Sequence, residues 1–297
     1  MNPVLKYFAE SLLTVSGFER LARRRVRDRT LILAYHDIVP HGDRRSGEHT
    51  LHLAQREFAQ QLDHLERVCD VVPLDDLSAK PRTKGRPRVV ITFDDAYAGA
   101  LTAGVDELTR RGMPATIFVS PALLGGPTWW DLLGDQYDGQ IPGDVRQRAL
   151  HELKGDAKAV LDGAGVIRRT TGRSGARIGT ESELIRAANR PGISIGSHSW
   201  SHQNLCRLDR AALEMELARP LDWLRGKFPR TVQWLSYPYG LFNETVERVA
   251  KAVGYTGGLK IDGGWLNDHP GAPFATPRFN VPAGLSTRGF RLRVAGL

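Results

Sequence analysis

Short apolar stretches alternate with amphipathic stretches along most of this chain. The short stretches are rich in β-branched and aromatic residues, whereas the longer ones carry apolar residues at helical spacing. The predicted strands are 31–36, 71–72, 89–93, 115–119, 193–195 and 232–235. The predicted helices are 58–68, 98–111, 144–162, 182–189, 209–224, where Pro220 is expected to kink or break the helix, and 243–253. Repeated alternation of strand and helix predicts a parallel sheet with crossover helices.

The chain length allows one large α/β domain or two small ones. With 297 residues, 41% of them hydrophobic, the chain can bury a sizeable core. We divide it into a basic amphipathic N-terminal segment, residues 1–29, and a main domain, residues 30–297. An insertion is expected at about 126–180, a region that includes a loop rich in Gly, Arg and Thr.

The formal charge of +8 is unevenly distributed. Residues 1–29 hold seven basic and three acidic side chains, a net charge of +4, so half of the excess lies in a tenth of the chain. The remainder is too weakly basic to indicate a dedicated nucleic-acid surface. Two isolated cysteines, Cys69 and Cys206, indicate neither a disulfide framework nor a thiolate zinc site.

The N-terminal segment places apolar residues at helical spacing ahead of its basic cluster. A signal peptide has the opposite order, and the segment is too short and too polar to span a bilayer. Two interpretations stay open: an amphipathic helix on an anionic membrane, or an ordinary helix docked on the domain. Peripheral membrane contact through residues 1–29 is thus one expectation, with a cytoplasmic or peripheral inner-membrane location.

Side chains of catalytic type follow several predicted strands. The strand at 89–93 ends in Asp94 and Asp95, and the strand at 31–36 ends in His36. At a strand's end two adjacent carboxylates can line one pocket, where one binds a metal and the other takes a proton. The alternative is a simple turn, in which Asp is common. In (β/α) barrels the active site lies at these strand ends.

A pair of histidines follows the strand at 193–195. His198 and His202 are four residues apart, and they meet on one face if the turn is helical. Such a pair is weak evidence alone, but Asp95 is available as a third ligand. Two imidazoles and one carboxylate leave coordination positions open on Zn²⁺ for water and substrate.

Three ordered motifs resemble those of the polysaccharide deacetylases, the NodB-homology enzymes also called carbohydrate esterase family 4. Thr92-Phe93-Asp94-Asp95 resembles the first motif, His198-Ser199-Trp200-Ser201-His202 the second, and Tyr237-Pro238-Tyr239-Gly240 the third. The resemblance runs from about residue 31 to residue 281. It implies a distorted (β/α) barrel of the NodB-homology type, here with a helical insertion and an N-terminal helix.

The resemblance also implies roles for individual residues. Asp94 matches the general base that activates water. Asp95, His198 and His202 match the ligands of Zn²⁺ or another divalent metal. Tyr239 matches the residue whose backbone N–H helps to hold the tetrahedral oxyanion.

Two departures from the family pattern concern the base and the acid. Most members carry an Arg at the position of Ser236 to orient the base, and Arg278 is a possible replacement. The late Leu-x-His motif that supplies the acid is absent, and the segment around His269 matches it poorly. However, Tyr35-His36 resembles the opening of a subgroup that acts on exopolysaccharide glucosamine, which implies His36 as the acid.

The sequence leaves two interpretations for several aromatic residues and predicts a surface position for the remaining histidines. Trp129 and Trp130 either stack on sugar rings or pack within the insertion, and Trp265 falls near the position of an acetyl-pocket Trp. The histidines without a partner at metal-binding spacing are expected at the surface: His41, His49, His52, His64 and His151.

The main hypothesis is a metal-dependent hydrolase that removes acetyl groups from N-acetylated sugars and releases acetate. The substrate would be a bacterial polysaccharide or its lipid-linked precursor. One alternative is a deformylase or other amidohydrolase acting on a lipid-linked aminosugar, which the basic N-terminus favours. Another is an inactive glycan-binding protein on the same scaffold, favoured by the missing Arg and late His.

Overall fold

The structure is a computed structural model, and it describes Glu10, Leu13 and residues 18–79, 85–164, 176–266 and 273–297. His269, considered above as an alternative acid, lies outside the described residues.

Eight strands form one parallel sheet that curls into a half-barrel, and two more form a small parallel ladder. The strands are β1 (Thr30–Tyr35), β2 (Asp37–Val39), β3 (His52–Ala54), β4 (Asp70–Val71), β5 (Arg88–Phe93), β6 (Ala115–Val119), β7 (Ile193–Ser197), β8 (Thr231–Ser236), β9 (Gly257–Leu259) and β10 (Phe279–Asn280). The order in the sheet is β10-β1-β5-β6-β7-β8-β9, with β4 also on β5, while β2 pairs with β3. The predicted fold class, a distorted (β/α) barrel, is confirmed.

Helices cover the outside of the sheet, as the crossover connections of a parallel sheet require. Within the described chain they are α1 (Phe18–Arg23), α2 (Gln55–Val68), α3 (Val105–Arg110), α4 (Trp129–Gln136), α5 (Gly143–Gln147), α6 (Ala157–Gly163), α7 (Glu181–Ala188), α8 (Arg210–Lys227), α9 (Glu244–Val253) and α10 (Thr287–Val294). Helix α2 shows how they dock: Phe58 packs edge-on against Tyr35 of β1 and Phe93 of β5, with ring centroids 5.1 and 5.7 Å apart. The core therefore lies between helices and sheet.

The strand register brings distant residues to one edge of the sheet. Tyr35 pairs with Phe93, and Phe93 with Ile117, so β1, β5 and β6 end close together. Val119 pairs with Ser197, which adds the end of β7. The residues that follow these strands consequently share one end of the half-barrel.

Two helix predictions differ from the structure. The stretch 144–162 is not one helix, because it contains α5, a wider turn at Arg148–Glu152, and α6. The break has a local cause: Lys154 and Gly155 adopt positive φ, and Asp156 then caps α6 through the backbone N–H of Ala159. Conversely, α8 continues through Pro220 without a break.

Several elements gave no signal in the sequence. Strands β2, β3, β9 and β10 have only two or three residues, too few for a period to show. In β9, Gly257 and Gly258 lie where a Cβ atom would collide with Trp234 and with the hydroxyl of Tyr237. Glycine is depleted in β-strands, so the close approach of neighbouring side chains, rather than strand propensity, explains the two glycines in β9.

The N-terminal segment contacts the domain through buried acidic residues. Glu10 accepts a hydrogen bond of 2.6 Å from Ser286, which caps α10. Glu19, 2% exposed, pairs with Arg23 at 2.7 Å and Arg291 at 2.6 Å. The segment is docked at these points, and its boundary at residue 30 stays a prediction. None of the helices in the described ranges is long and apolar enough to cross a bilayer.

Candidate metal and active site

Asp95, His198 and His202 bring three ligand atoms together at the ends of β5 and β7. The Nε2 atoms of the histidines are 3.1 Å apart, and Asp95 Oδ1 lies 3.2 Å from that of His202 and 3.6 Å from that of His198. Tetrahedral ligands at about 2.0–2.1 Å from Zn²⁺ are about 3.3 Å from one another. The separations therefore fit one small divalent cation, and all three side chains are buried.

The protonation of His198 suits a metal ligand. Its Nδ1–H donates to the backbone carbonyl of Ser236 at 2.7 Å, which leaves a lone pair on Nε2. Burial lowers the pKa of His198 to about 4, so the imidazole is neutral near pH 7. Burial alone would raise the pKa of Asp95, but His202 brings it below its ordinary value. Asp95 Oδ1 is buried and accepts no hydrogen bond from the described residues.

The two histidines meet through a loop rather than a helix. Ser199 and His202 have φ values of 64° and 60°, so the turn between the histidines is not helical. The imidazole centroids are nevertheless only 4.5 Å apart. The spacing of four was a correct guide to proximity, although a different backbone achieves it.

Left-handed backbone is concentrated at this site. Seven non-glycine residues in the described chain have positive φ, and five of them are here: Asp95, Ala96, Ser199, His202 and Tyr239. Such conformations cost about 1–3 kcal/mol each and persist where the surrounding structure enforces them. The local backbone is therefore shaped around side-chain placement.

Arg278 meets the candidate base Asp94. The guanidinium is fully buried and donates from Nη1 and Nη2 to the two carboxylate oxygens, at 2.8 and 2.7 Å. Ser236, at the position where the resemblance leads one to expect an Arg, donates to Asp94 at 3.1 Å and accepts from Arg278 at 2.7 Å. Arg278 thus brings to Asp94 the positive charge that Ser236 lacks.

This pairing sets the charge of Asp94. Burial alone would raise its pKa, but the charge and hydrogen bonds of Arg278, with His198, hold the pKa well below its usual value. Asp94 is therefore ionised throughout the neutral range. Each carboxylate oxygen has two lone pairs. Oδ1 accepts from both Arg278 and Ser236, whereas Oδ2 accepts from Arg278 and keeps acceptor capacity.

One cavity of about 230 Å³ contains all the predicted site residues. They are His36, Asp94, Asp95, His198, His202 and Tyr239. His36 lies where β1 ends, and burial lowers its pKa, against the opposing effect of Asp95 and Asp94. The structure brings these side chains together, while their individual roles stay predictions.

The same cavity has a further wall, of which the sequence analysis considered only Trp130. Trp130, Leu150 and Arg146 come from the insertion, and Asn280 comes from β10. Arg146 is held by Glu48, whose Oε2 lies 2.6 Å from its guanidinium. Nothing in the local sequence distinguishes this pair from ordinary surface charges.

The structure contradicts the expectations for three other residues, namely His52, His64 and Trp265. His52 and His64 are 0% and 3% exposed, so neither is a surface residue. Trp265 does not line the cavity, since its indole N–H donates to the carbonyl of Arg293 at 3.2 Å and its ring packs against the core. Of the two interpretations of Trp129, the structure shows packing: its ring lies in a buried cluster with Trp130 and Leu133.

Comparison with known proteins finds similarity to polysaccharide deacetylases over part of the chain. A family model described as polysaccharide deacetylase matches residues 160–258, which include the histidine pair and Tyr239 but not Asp94 and Asp95. The Bacillus subtilis protein YxkH, named as a polysaccharide deacetylase, is 23% identical over 263 residues. That match covers 87% of this chain and 74% of YxkH.

Solved structures share the fold. The Streptococcus pyogenes deacetylase PplD, in complex with acetate, gives a TM-score of 0.61 at 17% identity, covering 90% of this chain and 98% of PplD. IcaB from Ammonifex degensii gives 0.62 at 17% identity, covering 90% and 97%. Identities this low establish a common NodB-type fold and no more. The chain thus shares a match to the polysaccharide deacetylase model over residues 160–258 and this fold with proteins that are described as deacetylases.

Proposed function

We propose that this protein is a divalent-metal-dependent hydrolase that removes N-acetyl groups from sugars. The observation that carries the proposal is the pairing of two unlike carboxylates in one cavity. Asp95 points to the histidine pair, while its neighbour Asp94 is held by Arg278. One carboxylate is thereby free to hold a cation and the other to handle a proton.

Asp94 is suited to the first proton transfer. As water attacks the amide carbon, the carboxylate of Asp94 takes one of its protons. The other proton stays on the water oxygen, which now forms the new C–O bond. The low pKa of Asp94 makes it a weak base, so it contributes by orienting the water and by holding a negative charge until the proton is transferred. Arg278 fixes that orientation through two hydrogen bonds.

The reaction also requires stabilisation of the negative charge on the substrate oxygen and a proton for the departing amine. When bound by Asp95, His198 and His202, a divalent cation supplies positive charge that polarises an acyl oxygen and acidifies water. We assign the backbone N–H of Tyr239 the role of oxyanion donor, as the resemblance implies. His36 then gives a proton to the amine as the C–N bond breaks, which leaves acetate and a free amino group. The assignment of His36 rests on the Tyr-His resemblance and on its place in the cavity.

Two proteins with this fold favour an acetyl group on nitrogen as the target. PplD is described as a deacetylase in complex with acetate, and another protein is described as a de-N-acetylase, at TM-scores of 0.61 in each case. The alternative of a decayed, glycan-binding scaffold rested partly on the missing Arg. The contacts of Arg278 with Asp94 weigh against it.

Release of acetate is the test. Zinc-loaded protein is incubated with N-acetylglucosamine oligomers and with their N-formyl counterparts, and acetate, formate and free amine are quantified. We expect one acetate per amine formed and slower release of formate. Metal-loaded, folded protein that releases neither acid from any glycan would contradict the proposal and support the glycan-binding alternative.

A second candidate substrate is an aminosugar attached to a membrane lipid. Phe18 and Leu21, 41% and 55% exposed, lie three residues apart on α1, beside the exposed Arg20 and Arg24. Apolar side chains among arginines fit an anionic bilayer surface. We expect the protein to float with phosphatidylserine-containing vesicles and a Phe18→Ser, Leu21→Ser variant not to. The control is Met215→Ser, which removes an apolar side chain 66% exposed elsewhere. Equal flotation of all three proteins would contradict membrane contact through α1.

A further inference from the structure

The two histidines of the candidate metal site are oriented in different ways. His198 is fixed by its Nδ1–H bond to the carbonyl of Ser236, at 2.7 Å. The Nδ1 atom of His202 is buried and has no hydrogen-bond partner among the described residues. Ring contacts surround His202 instead, with centroids 4.7 Å away for Trp130, 4.6 Å for Tyr239 and 4.5 Å for His198. The orientation of His202 therefore depends on its aromatic neighbours.

Trp130 is itself fixed by hydrogen bonds. The indole is 4% exposed, and its N–H donates to the hydroxyl of Tyr97 at 2.7 Å. Tyr97 in turn donates to Asp131 Oδ2 at 2.6 Å. Thr128 donates to the same oxygen at 2.7 Å, which ties the start of α4 to this carboxylate. The indole thus has one defined position against the imidazole.

A buried ion cluster anchors Asp131. His52 lies between two carboxylates, with Nε2 2.9 Å from Asp131 Oδ1 and Nδ1 3.0 Å from Asp37 Oδ2. Burial alone would lower the pKa of His52, but these two bonds raise it to about 9, so both ring nitrogens donate at neutral pH. Breaking a buried ionic group of this kind by removing one member is strongly destabilising, which makes it a rigid anchor.

We propose that Trp130 is a positioning residue for the metal ligand His202, held in place by the chain of Tyr97, Asp131, His52 and Asp37. The inference rests on the proposed metal site. This series of side-chain contacts begins at Asp37, next to the candidate acid His36, and ends at the imidazole of His202. The contacts thereby connect the segment around Trp130, the β2–β3 ladder and the end of β7 around one cavity. Removing a hydrogen-bond partner of a metal ligand typically changes metal affinity about 10–100-fold, and we expect removal of this ring contact to act at the lower end of that range.

The experiment measures cobalt binding, because Co²⁺ replaces Zn²⁺ in many sites and its visible spectrum reports ligand geometry. Dissociation constants come from competition with a chelator. We expect Tyr97→Phe and Trp130→Leu each to weaken binding on the order of tenfold and to shift the Co²⁺ spectrum, and Trp130→Phe to recover part of the affinity. The matched control is Tyr35→Phe, which deletes another buried hydroxyl, one bonded to Gln61 at 2.8 Å, and should leave both readouts unchanged.

The possible results separate the two claims. A wild-type protein that binds no Co²⁺ overturns the metal site and the positioning role with it. Tight wild-type binding with wild-type affinity and spectrum in Tyr97→Phe overturns the positioning role alone. Tyr97→Phe decides the matter if Trp130→Leu does not fold, because it removes a single oxygen atom and preserves the ring.

Discussion

Arg278 and Asp94 form a buried, doubly hydrogen-bonded ion pair between residues 184 positions apart in the chain. The pair places a planar guanidinium against a carboxylate at two N–O distances below 3 Å. It fixes both the orientation and the charge of the candidate base. Ser236, at the position where the resemblance leads one to expect an Arg, bonds to both partners.

Removing the guanidinium should damage stability and catalysis together. Arg278→Gln leaves the buried Asp94 unpaired, which we expect to lower the free energy of unfolding by about 3–5 kcal/mol. We expect kcat/KM to fall about 100-fold, because a misplaced base loses alignment. Urea unfolding and acetate release measure the two effects. The exposed Arg225→Gln serves as control and should change unfolding by less than about 0.5 kcal/mol.

The same substitution should expose the titration of Asp94. In the wild type the carboxyl has a low pKa, so its protonation lies below the neutral range. Without Arg278, burial dominates and the pKa rises, so activity is lost as the pH falls through the higher value. The acidic limb of the pH profile should move upward in Arg278→Gln and less in Arg278→Lys, which keeps the charge. An acidic limb at the same pH in all three proteins would contradict the pairing.

Bound metal should stabilise the fold. A ligand present at 1,000 times its dissociation constant contributes about 4 kcal/mol to unfolding. Chelation should therefore lower the unfolding temperature of the wild type and have no effect on Asp95→Asn, which lacks a ligand. Differential scanning calorimetry with and without chelator checks this. A chelator effect of equal size in both proteins would place the stabilising metal elsewhere.

The cluster around His52 predicts alkaline sensitivity. Its folded pKa of about 9 lies above the unfolded value of about 6.5, so its stabilisation is complete below pH 6.5 and lost as the pH rises through 9. The loss amounts to about 3 kcal/mol. Urea unfolding at pH 6 and pH 9.5 should show the gap between wild type and His52→Gln narrowing by this amount. His64 cannot produce the effect, since burial lowers its pKa to about 4 and it acts on the acidic side. A gap independent of pH would contradict a charged His52.

His36 should affect turnover without affecting the metal. We expect His36→Gln to lower kcat by about 100-fold or more, as the loss of a general acid does, with metal content unchanged. Substrates with a better leaving amine should lose less. A normal kcat in His36→Gln would contradict this role and show that another residue supplies the proton.

Local patterns predicted the parts of the site that depend on strand ends. Asp94, Asp95, His198 and His202 all follow strands whose apolar residues are visible in the sequence, and parallel register does the rest. The (β/α) alternation was equally clear. The sequence left open how the two histidines meet, and left-handed residues at Ser199 and His202 close the loop between them.

Contacts between distant polar residues could not be predicted in the same way. His52 and Asp131 are 79 positions apart and lie in polar segments that look solvated. Their burial results from contacts between the segment around Asp131 and the β2–β3 ladder, which no local period encodes. Arg278 was only a candidate, since β10 has two residues and gives no register signal.

The central claim is that Asp94 and Asp95, adjacent in sequence, divide proton transfer and metal binding between them. Metal content and acetate release of Asp94→Asn test it most directly, with the exposed Asp75→Asn as control. We predict one bound Zn²⁺ per chain with acetate release reduced to background. Loss of the metal from Asp94→Asn, or acetate release at the wild-type rate, would contradict this division of roles.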